Sequence, residues 1–280
     1  MTSTPVGREL RELLRWHGFT PVKAELWAEF VVHVTAILRA AAAELCAPEK
    51  WAAFKLKGGA LGAPRRRARR KVVERVPIED AITSELGHIV RHLRRTVPKG
   101  HFLRLNEVEF HVEDLVASPA RAGRHSRKID FLIYAATGTD EPELAIEAKP
   151  LVAESDIAGR YLAEEGIGCF FTTDSPYTRG PLGAMLAYTL NRDGRLWTAE
   201  IRAAVSAYVP PVLGVADALI PGESEPITFS RHERLALELE PIAILHLEML
   251  FKPEETPAEE PSTSDTGPEN AHDRPSSREF

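Results

Sequence analysis

The chain has 280 residues, of which 44% are hydrophobic, and a formal net charge of −6, values that fit one sizeable globular domain or two small ones. Its two cysteines, Cys46 and Cys169, are too few for a disulfide framework or a cysteine zinc cage. Met1–Leu10 has no apolar core of the kind that a signal peptide carries, and no uninterrupted apolar run is long enough to span a bilayer. We therefore expect a cytoplasmic protein that does not enter a membrane, with both thiols reduced.

Charge is distributed unevenly along the chain. Residues 253–280 contain eight acidic and two basic side chains, which accounts for the whole net charge. Because this segment is rich in Pro, Ser and Thr and poor in apolar residues, it is predicted to be a disordered acidic tail. Residues 55–128 instead contain eighteen Lys and Arg against eight Asp and Glu. Such a basic block is typical either of a solvated face or of a surface that binds nucleic-acid phosphates.

The N-terminal part is predicted to be helical. A short polar helix falls within Thr2–Phe19, and a longer one runs from Pro21 to about Leu45, with apolar residues at three- and four-residue spacing. Thr20 is expected to cap the longer helix, since Thr followed by Pro is a favourable helix start. Residues 1–76 are therefore predicted to form an N-terminal helical region that ends in a basic arm.

The basic arm is the densest positive run in the sequence, RRRARRK at Arg65–Lys71. It is compatible with a solvated, disordered segment and equally with a segment that contacts a sugar-phosphate backbone. Under the second interpretation, Arg65, Arg66 and Arg67 are candidate nucleic-acid-binding residues.

A further helix is predicted at Pro77–Thr96. Glu85 lies on its apolar side, about 20° from Ile78 at the helical rotation of 100° per residue. An acid in that position is rarely buried without a partner, and an ordinary ion pair with a nearby arginine is one alternative. Glu79 and Asp80 lie in the first turn, where acids interact favourably with the helix dipole, and are interpreted as structural.

Alternating polar and apolar residues predict a first core strand at Leu103–Val112. The loop that follows, Ser118–Lys128, is basic and leads directly into the next strand, so it must end close to that strand. Arg124, Arg127 and Lys128 are therefore predicted to contact nucleic-acid phosphates.

A β-hairpin is predicted from Lys128–Ala135 and Glu143–Lys149, with a turn-like segment at 137–142 between them. Folding this hairpin symmetrically about its turn places Asp130 opposite Glu147. A slip of one residue in the register would turn the apolar side chains outward, so the symmetric register is favoured.

The same register brings three charged groups together. Glu147 and Lys149 share a face of their strand because side chains alternate, and Asp130 joins them across the hairpin. Such a cluster beside apolar strands costs free energy unless it has partners or a function. A salt-bridged strand edge is the simple explanation. The functional alternative is a metal site, in which two carboxylates bind a hard divalent cation and the lysine orients or deprotonates a water molecule.

Asp130 followed by Glu147-Ala148-Lys149 resembles the motif of the PD-(D/E)XK nuclease superfamily. The resemblance covers about Pro77 to Asp174, and it departs from the motif where Ile129 stands in place of proline. It implies an α/β protein with a restriction-endonuclease-like core, in which a helix, an antiparallel hairpin within a mixed central sheet, a helix and a strand follow one another.

The resemblance also implies roles for individual residues. Asp130, Glu147 and the backbone carbonyl of Ala148 would hold one or two Mg²⁺ ions, for which Mn²⁺ could substitute. Lys149 would position the attacking water or neutralise charge in the transition state. The helix that precedes the core strands often supplies a further carboxylate in this superfamily, and Glu85 is assigned that role.

The remaining elements follow from pattern alone. A helix is predicted at Ser155–Glu165, a short buried strand at Cys169–Thr173, another helix at Thr178–Leu190 and peripheral strands within Arg234–Phe251. Residues 77–252 are therefore predicted to form the nuclease-like domain with a C-terminal extension.

The leading hypothesis is a metal-dependent endonuclease that hydrolyses phosphodiester bonds, with DNA as the first candidate substrate, in a restriction, repair or phage-defence setting. A non-catalytic nucleic-acid-binding or assembly module on the same fold is the alternative, because fold does not fix function. An RNA nuclease is a third hypothesis, since backbone contacts bind phosphate in both nucleic acids. A homodimer, with the Pro21–Leu45 helix at its interface, and a requirement for an activator protein are left open.

Overall fold

The computed structural model describes residues 7–62, 65–66, 73–74, 76–116, 126–136, 141–191, 194–208, 212–223 and 225–251. At 65–66 and 73–74 the description is limited to the backbone. The predicted acidic tail at 253–280 lies outside the described residues, as do Arg67 and Arg124. The fold is α/β, as predicted, and is built on a seven-stranded mixed sheet.

The described part of the chain contains six α-helices. The predicted start of the long helix is confirmed, because the side chain of Thr20 accepts a hydrogen bond from the Lys23 backbone N–H at 3.3 Å. The helices are α1 (Arg8–Trp16), α2 (Pro21–Cys46), α3 (Pro48–Leu56), α4 (Glu79–Thr96), α5 (Phe102–Leu105) and α6 (Thr198–Ser206).

Two very short strands form a separate antiparallel pair, and seven longer strands form the main sheet. The short strands are β1 (Arg65–Arg66) and β2 (Val73–Glu74). The others are β3 (Val108–Leu115), β4 (Lys128–Ala135), β5 (Glu143–Leu151), β6 (Leu182–Thr189), β7 (Val212–Ala218), β8 (Ile227–Arg234) and β9 (Leu239–Leu250).

The main sheet has the order β3-β4-β5-β6-β9-β8-β7. Strands β5, β6 and β9 run parallel to one another, and the outer pairs are antiparallel. Helices α1 to α4 pack on one face of this sheet, and α6 and the turns that follow β5 pack on the other. Because both faces are covered, the central strands are mostly apolar, and the charged Glu147 and Lys149 of β5 are exceptions.

Helix α2 is long and apolar enough to cross a bilayer by length and composition, with a mean hydropathy of 1.4 in its most apolar window. In the folded chain, 61% of that window is buried, and the helix contacts α1, α3, α4 and α5. The apolar residues of α2 therefore pack against other helices of the same chain, as those of a core helix do.

Three predictions of secondary structure after β5 are wrong. Residues 155–165 contain a five-residue π-helical turn, Ile157–Tyr161, rather than a full helix, and the predicted strand at 169–173 begins instead in a 3₁₀ turn, Ile167–Phe170. The predicted helix Thr178–Leu190 contains strand β6. Every residue of β6 is buried in the middle of the sheet, so it shows none of the alternation that identifies a half-exposed strand, and tertiary packing overrides its helix-forming Ala and Leu content.

A fourth correction concerns the last strand. Arg234–Phe251 was predicted to supply peripheral strands, but β9 lies between β6 and β8 near the middle of the sheet. The N-terminal helices and this sheet also share one apolar cluster, which extends from Leu10 to Phe251. The sheet is therefore completed by the C-terminal third of the chain, and it buries the N-terminal helices against one face.

Candidate metal centre

The predicted hairpin register is confirmed. Phe131 pairs with Ile146 and Leu132 with Ala145, and this antiparallel ladder begins at Tyr134 and Glu143. Both strands continue past Phe131 and Ile146, but beyond these residues β5 is paired with β6 and no longer with β4. The two strands thus separate at the positions of the acids.

This separation gives Asp130 a backbone partner. The N–H of Ala148 donates a hydrogen bond to Asp130 Oδ2 at 2.7 Å. Because a charge-assisted bond of this kind fixes the direction of the carboxylate, Asp130 is held against β5 at the point where β4 and β5 separate, which we call the fork. The Ala148 carbonyl is predicted to be a ligand, and the structure shows that the N–H of the same residue orients the carboxylate of Asp130, another predicted ligand.

Strand β4 is also irregular at Asp130. On its other side β4 pairs with β3, and the residue of β3 across from Asp130 is Glu113, which has a left-handed φ of 55°. The flanking residues Ile129 and Phe131 pack in different apolar clusters on the two faces of the sheet. A strand that keeps strict alternation would place both on one face, so β4 turns at Asp130. A left-handed non-glycine residue is strained, and such strain is concentrated at functional sites.

A third acid joins the fork from the helical layer. Glu79 opens α4, which packs against β3, β4 and β5. One carboxylate oxygen each of Glu79, Asp130 and Glu147 lie within 4.8 Å of one another. Glu147 is only 5% exposed, whereas Glu79 is partly exposed.

Lys149 lies between two of these acids. Its Nζ is 2.5 Å from Glu79 Oε1 and 2.5 Å from Glu147 Oε1, and the residue is 8% exposed. A buried ammonium needs such partners. The cluster therefore contains three carboxyl groups and one ammonium, so its fully ionised form carries excess negative charge.

Burial shifts the protonation of the whole group. Burial raises the pKa of Asp130 to about 7, although the hydrogen bond from Ala148 opposes the shift. Burial and the neighbouring Asp130 charge raise the pKa of Glu147 to about 9. Burial lowers the pKa of Lys149, but attraction to Glu147 and Glu79 outweighs burial and raises it overall. A cation that replaces protons on the acids would relieve this repulsion.

The donor set fits a hard divalent cation. All three candidate ligands are carboxylates, and oxygen donors are those that Mg²⁺ and Mn²⁺ prefer. Mg²⁺ commonly keeps several waters beside one or two carboxylates, so a sparse set of this kind is sufficient.

The assignment of Glu85 to the metal group is not supported by its position. Glu85 Oε2 lies 2.5 Å from Lys57 Nζ and is outside the group formed by Glu79, Asp130 and Glu147. Glu85 is six residues after Glu79, which places it about 9 Å along the helix axis and about 120° around it. Glu85 forms an ion pair, the alternative considered above, but its partner is a lysine on the segment after α3.

Glu79 is the site residue that the sequence interpretation missed. Its place in the first turn was explained by the helix dipole alone. The signal that could have found it is its position as the first residue of α4. A side chain at the N-terminal end of a helix can extend beyond the helix, here toward the point where β4 and β5 separate. Helix facing by itself cannot reveal such a contact.

The predicted phosphate-binding residues are only partly placed. Arg127 and Lys128 line a cavity of about 470 Å³ together with Glu147 and Lys149, so both lie beside the acids. Lys128 is 62% exposed and its Nζ lies 3.4 Å from Glu113 Oε2. Arg65 and Arg66 form β1, and their side chains are not described.

Comparison with known proteins adds no relative. No family model, no curated protein and no solved structure matches this chain.

Proposed function

We propose that this protein is a metal-dependent nuclease that hydrolyses phosphodiester bonds, with DNA as the first candidate substrate. The observation that carries the proposal is the convergence of Glu79, Asp130 and Glu147 within 4.8 Å, with Lys149 Nζ 2.5 Å from two of them. A purely structural ion pair between Lys149 and Glu147 does not require two further, partly buried acids beside it, because each adds a desolvation cost.

The arrangement of elements around the cluster supports a restriction-endonuclease-like core. An acid-bearing helix, α4, packs on the hairpin β4–β5, and β6 continues the sheet in parallel with β5. The two acids of the hairpin lie where its strands separate. The resemblance of Asp130 and Glu147-Ala148-Lys149 implies such a hairpin within a mixed central sheet, preceded by a helix.

The residues have distinct roles in the proposed reaction. Glu79, Asp130 and Glu147 would hold Mg²⁺ or Mn²⁺, which lowers the pKa of water and neutralises charge on the phosphate. Ala148 N–H keeps the Asp130 carboxylate directed into the fork. Lys149 keeps its proton at neutral pH, so it stabilises negative charge that develops on the phosphate and does not act as a base there.

The proposed partner is a nucleic acid, bound beside the cluster by Arg127 and Lys128. Two free cysteines are consistent with the reducing cytoplasm that we propose as its location. We propose a homodimer only for the case in which both strands of a duplex are cut, since that requires two sites. The buried stripe of α2 packs within one chain, so the dimer interface would lie elsewhere. Whether an activator protein takes part is decided by the activity of the isolated chain.

The test is a cleavage assay with supercoiled plasmid, linear duplex, single-stranded DNA and RNA, in Mg²⁺ or Mn²⁺ and in EDTA. We expect metal-dependent cleavage by the wild type and a loss of roughly 100-fold or more in Glu147→Gln. Glu85→Gln is the control, because it makes the same substitution as Glu147→Gln at a glutamate that is outside the cluster. It should retain activity within about two-fold of the wild type.

Other outcomes would replace the proposal. Cleavage of RNA alone would assign the same chemistry to an RNA nuclease. If no substrate is cut while the protein binds nucleic acid and calorimetry detects no Mn²⁺, the fold serves as a non-catalytic binding module. Equal activity of the wild type and Glu147→Gln would attribute any cleavage to a contaminant.

A further inference from the structure

Three adjoining cavities form one groove across the metal centre, which we call the site groove. Their volumes are about 660, 470 and 650 Å³. Lys149, Glu164 and Glu165 line both the first and the second cavity. Tyr177 lines both the second and the third. Because neighbouring cavities share lining residues, a linear ligand that crosses Tyr177 and Lys149 would contact all three cavities.

The third cavity has a more apolar lining than the other two. Its walls include Leu115, Val116, Leu132, Pro176 and the ring of Tyr177. Lys23 and Arg179 supply the cationic groups of this section, and Glu141 and Glu143 supply an equal number of acidic groups. Apolar and aromatic walls with cations beside them are typical of sites that hold bases and phosphates of an unpaired strand.

Tyr177 is fixed in a position suited to stacking. Its hydroxyl donates a hydrogen bond to the Lys128 carbonyl at 2.6 Å. Its ring makes an edge contact with Phe170, with centroids 5.9 Å apart and planes at 76°. The ring is thus held at its hydroxyl and at its edge, and it remains partly exposed between two cavities. A preorganised aromatic ring loses little side-chain entropy when a base stacks on it.

The wall beside Tyr177 is also rigid. Arg234 is 2% exposed and donates hydrogen bonds to the carbonyls of Thr178, Arg179 and Gly180 at 2.7, 3.3 and 2.8 Å. Thr178 Oγ1 in turn donates to Glu143 Oε1 at 2.7 Å. These bonds fix three consecutive residues that line the third cavity, so this section of the groove is a built surface rather than a loose loop.

The middle section supplies a group for phosphate. Arg127 lies beside Glu147 and Lys149 in the second cavity, and its Nε is a buried donor without a hydrogen-bond partner among the described residues. That atom is closed to a ligand, but the Arg127 side chain lines the cavity, so its N–H groups at the cavity wall can donate to a phosphate oxygen. Arg127 is therefore placed to hold the backbone between Tyr177 and the acids.

We infer that the site groove binds a single, unpaired nucleic-acid strand, with a base stacked on Tyr177 and its backbone held by Arg127. The inference rests on the proposed nuclease function and specifies its substrate class. Bases inside a duplex have no free face to offer Tyr177, whereas every unpaired base does. Single strands and frayed or tailed ends are therefore the substrates, and fully paired blunt duplex is not.

The test measures binding apart from cleavage. Fluorescence anisotropy compares a labelled oligothymidine with a blunt duplex of equal length, in Ca²⁺, for the wild type, Tyr177→Ala and Tyr177→Phe. We expect the wild type to prefer the single strand, and Tyr177→Ala to lose roughly 5- to 100-fold in affinity for it. Tyr177→Phe keeps the ring and should stay within about three-fold. Tyr134→Ala, a tyrosine at the far end of β4 that bonds His111, is the matched control.

A second readout keeps the inference open to refutation if Tyr177→Ala folds poorly. A strand with a 2-aminopurine base should lose fluorescence on binding to the wild type and to Tyr177→Phe, because stacking quenches this base. No quenching in either protein, or tighter binding of blunt duplex than of single strand, would overturn the inference. Metal-dependent cleavage of duplex alone would overturn it while leaving the nuclease proposal intact. Tyr177-dependent binding of a single strand without any cleavage would support the inferred binding of a single strand in the site groove and would contradict the proposed nuclease function.

Discussion

At the scale of single residues, the cluster depends on which acid of α4 reaches the fork. Glu79 and Glu85 differ by less than two helical turns, yet Glu79 pairs with Lys149 and Glu85 with Lys57. The chemical environment therefore differs sharply between two identical side chains on one helix. This pair offers a comparison in which charge, size and element are matched.

Glu79→Gln should weaken Mn²⁺ binding by roughly ten-fold or more, because it removes one of three anionic ligands. Glu85→Gln should leave the affinity within about two-fold, since its partner is an exposed lysine. Isothermal titration calorimetry at constant pH measures both. Equal effects of the two substitutions would show that Glu79 is not a ligand.

At the scale of elements, the position of Glu79 depends on how closely α4 approaches the sheet. Gly87 lies where α4 crosses β3, and a Cβ added to it would come within 2.3 Å of Val112 Cγ2. Real Cβ atoms do not approach other heavy atoms that closely, so the helix can pack at this distance only because residue 87 has no side chain.

Gly87→Ala should therefore move α4 away from β3 and lower the free energy of unfolding by roughly 1–3 kcal/mol through overpacking. The same movement should weaken Mn²⁺ binding, because it carries Glu79 away from Asp130. Denaturant unfolding and calorimetry measure the two effects. Gly100→Ala is the control, since nothing lies within 4 Å of its added Cβ, and it should change neither. A Gly87→Ala protein with unchanged stability would show that the packing between α4 and β3 can accommodate an added methyl group.

The elements also show how far sequence alone leads. Strand β4 and the hairpin register were predicted correctly because an alternating strand pair permits only one register that buries its apolar face. Strand β6 was missed because its burial on both faces removes the alternation. Glu79 was missed because its role depends on its contact with Lys149 on β5, and these two residues are 70 positions apart in the sequence. Local pattern carries no information about such a contact.

At the scale of the whole molecule, buried titratable groups couple folding to pH in two opposite directions. Burial lowers the pKa of His17 and His232 to about 4 and that of His246 to about 3. These histidines are neutral in the folded protein and take up protons in the unfolded chain below about pH 6.5. Their contribution to stability therefore increases as pH rises to about 6.5 and is constant above it.

The acidic cluster acts in the opposite direction and over a higher range. The pKa of Glu147 is 4.5 when unperturbed and is raised to about 9 in the folded protein, so between these values the folded state holds a proton that the unfolded state has lost. The free energy of unfolding must then fall as pH rises from 7 to 8.5, where the histidines no longer contribute, by up to about 1.4 kcal/mol per pH unit. Lys149 does not change this slope, because it is protonated in both states below about pH 10.

We expect two changes to flatten this slope. Glu147→Gln removes the acid of the cluster with the higher pKa and leaves Asp130, whose pKa of about 7 limits its own contribution to the lower end of this range. Saturating Mn²⁺ replaces the proton by a cation that binds only the folded state. Urea unfolding at pH 7.0, 7.75 and 8.5 measures the slope for the wild type, for Glu147→Gln and for the wild type with Mn²⁺. Burial also raises the pKa of Cys46 and Cys169, so both thiols lower the free energy of unfolding as pH approaches 8.5. This effect is also present in Glu147→Gln. The difference between the wild-type slope and the Glu147→Gln slope therefore excludes the cysteines. A wild-type slope equal to that of Glu147→Gln would mean that Glu147 is ionised in the folded protein and fully neutralised by Lys149. The cluster would then be a satisfied ion pair with no excess charge for a metal to balance.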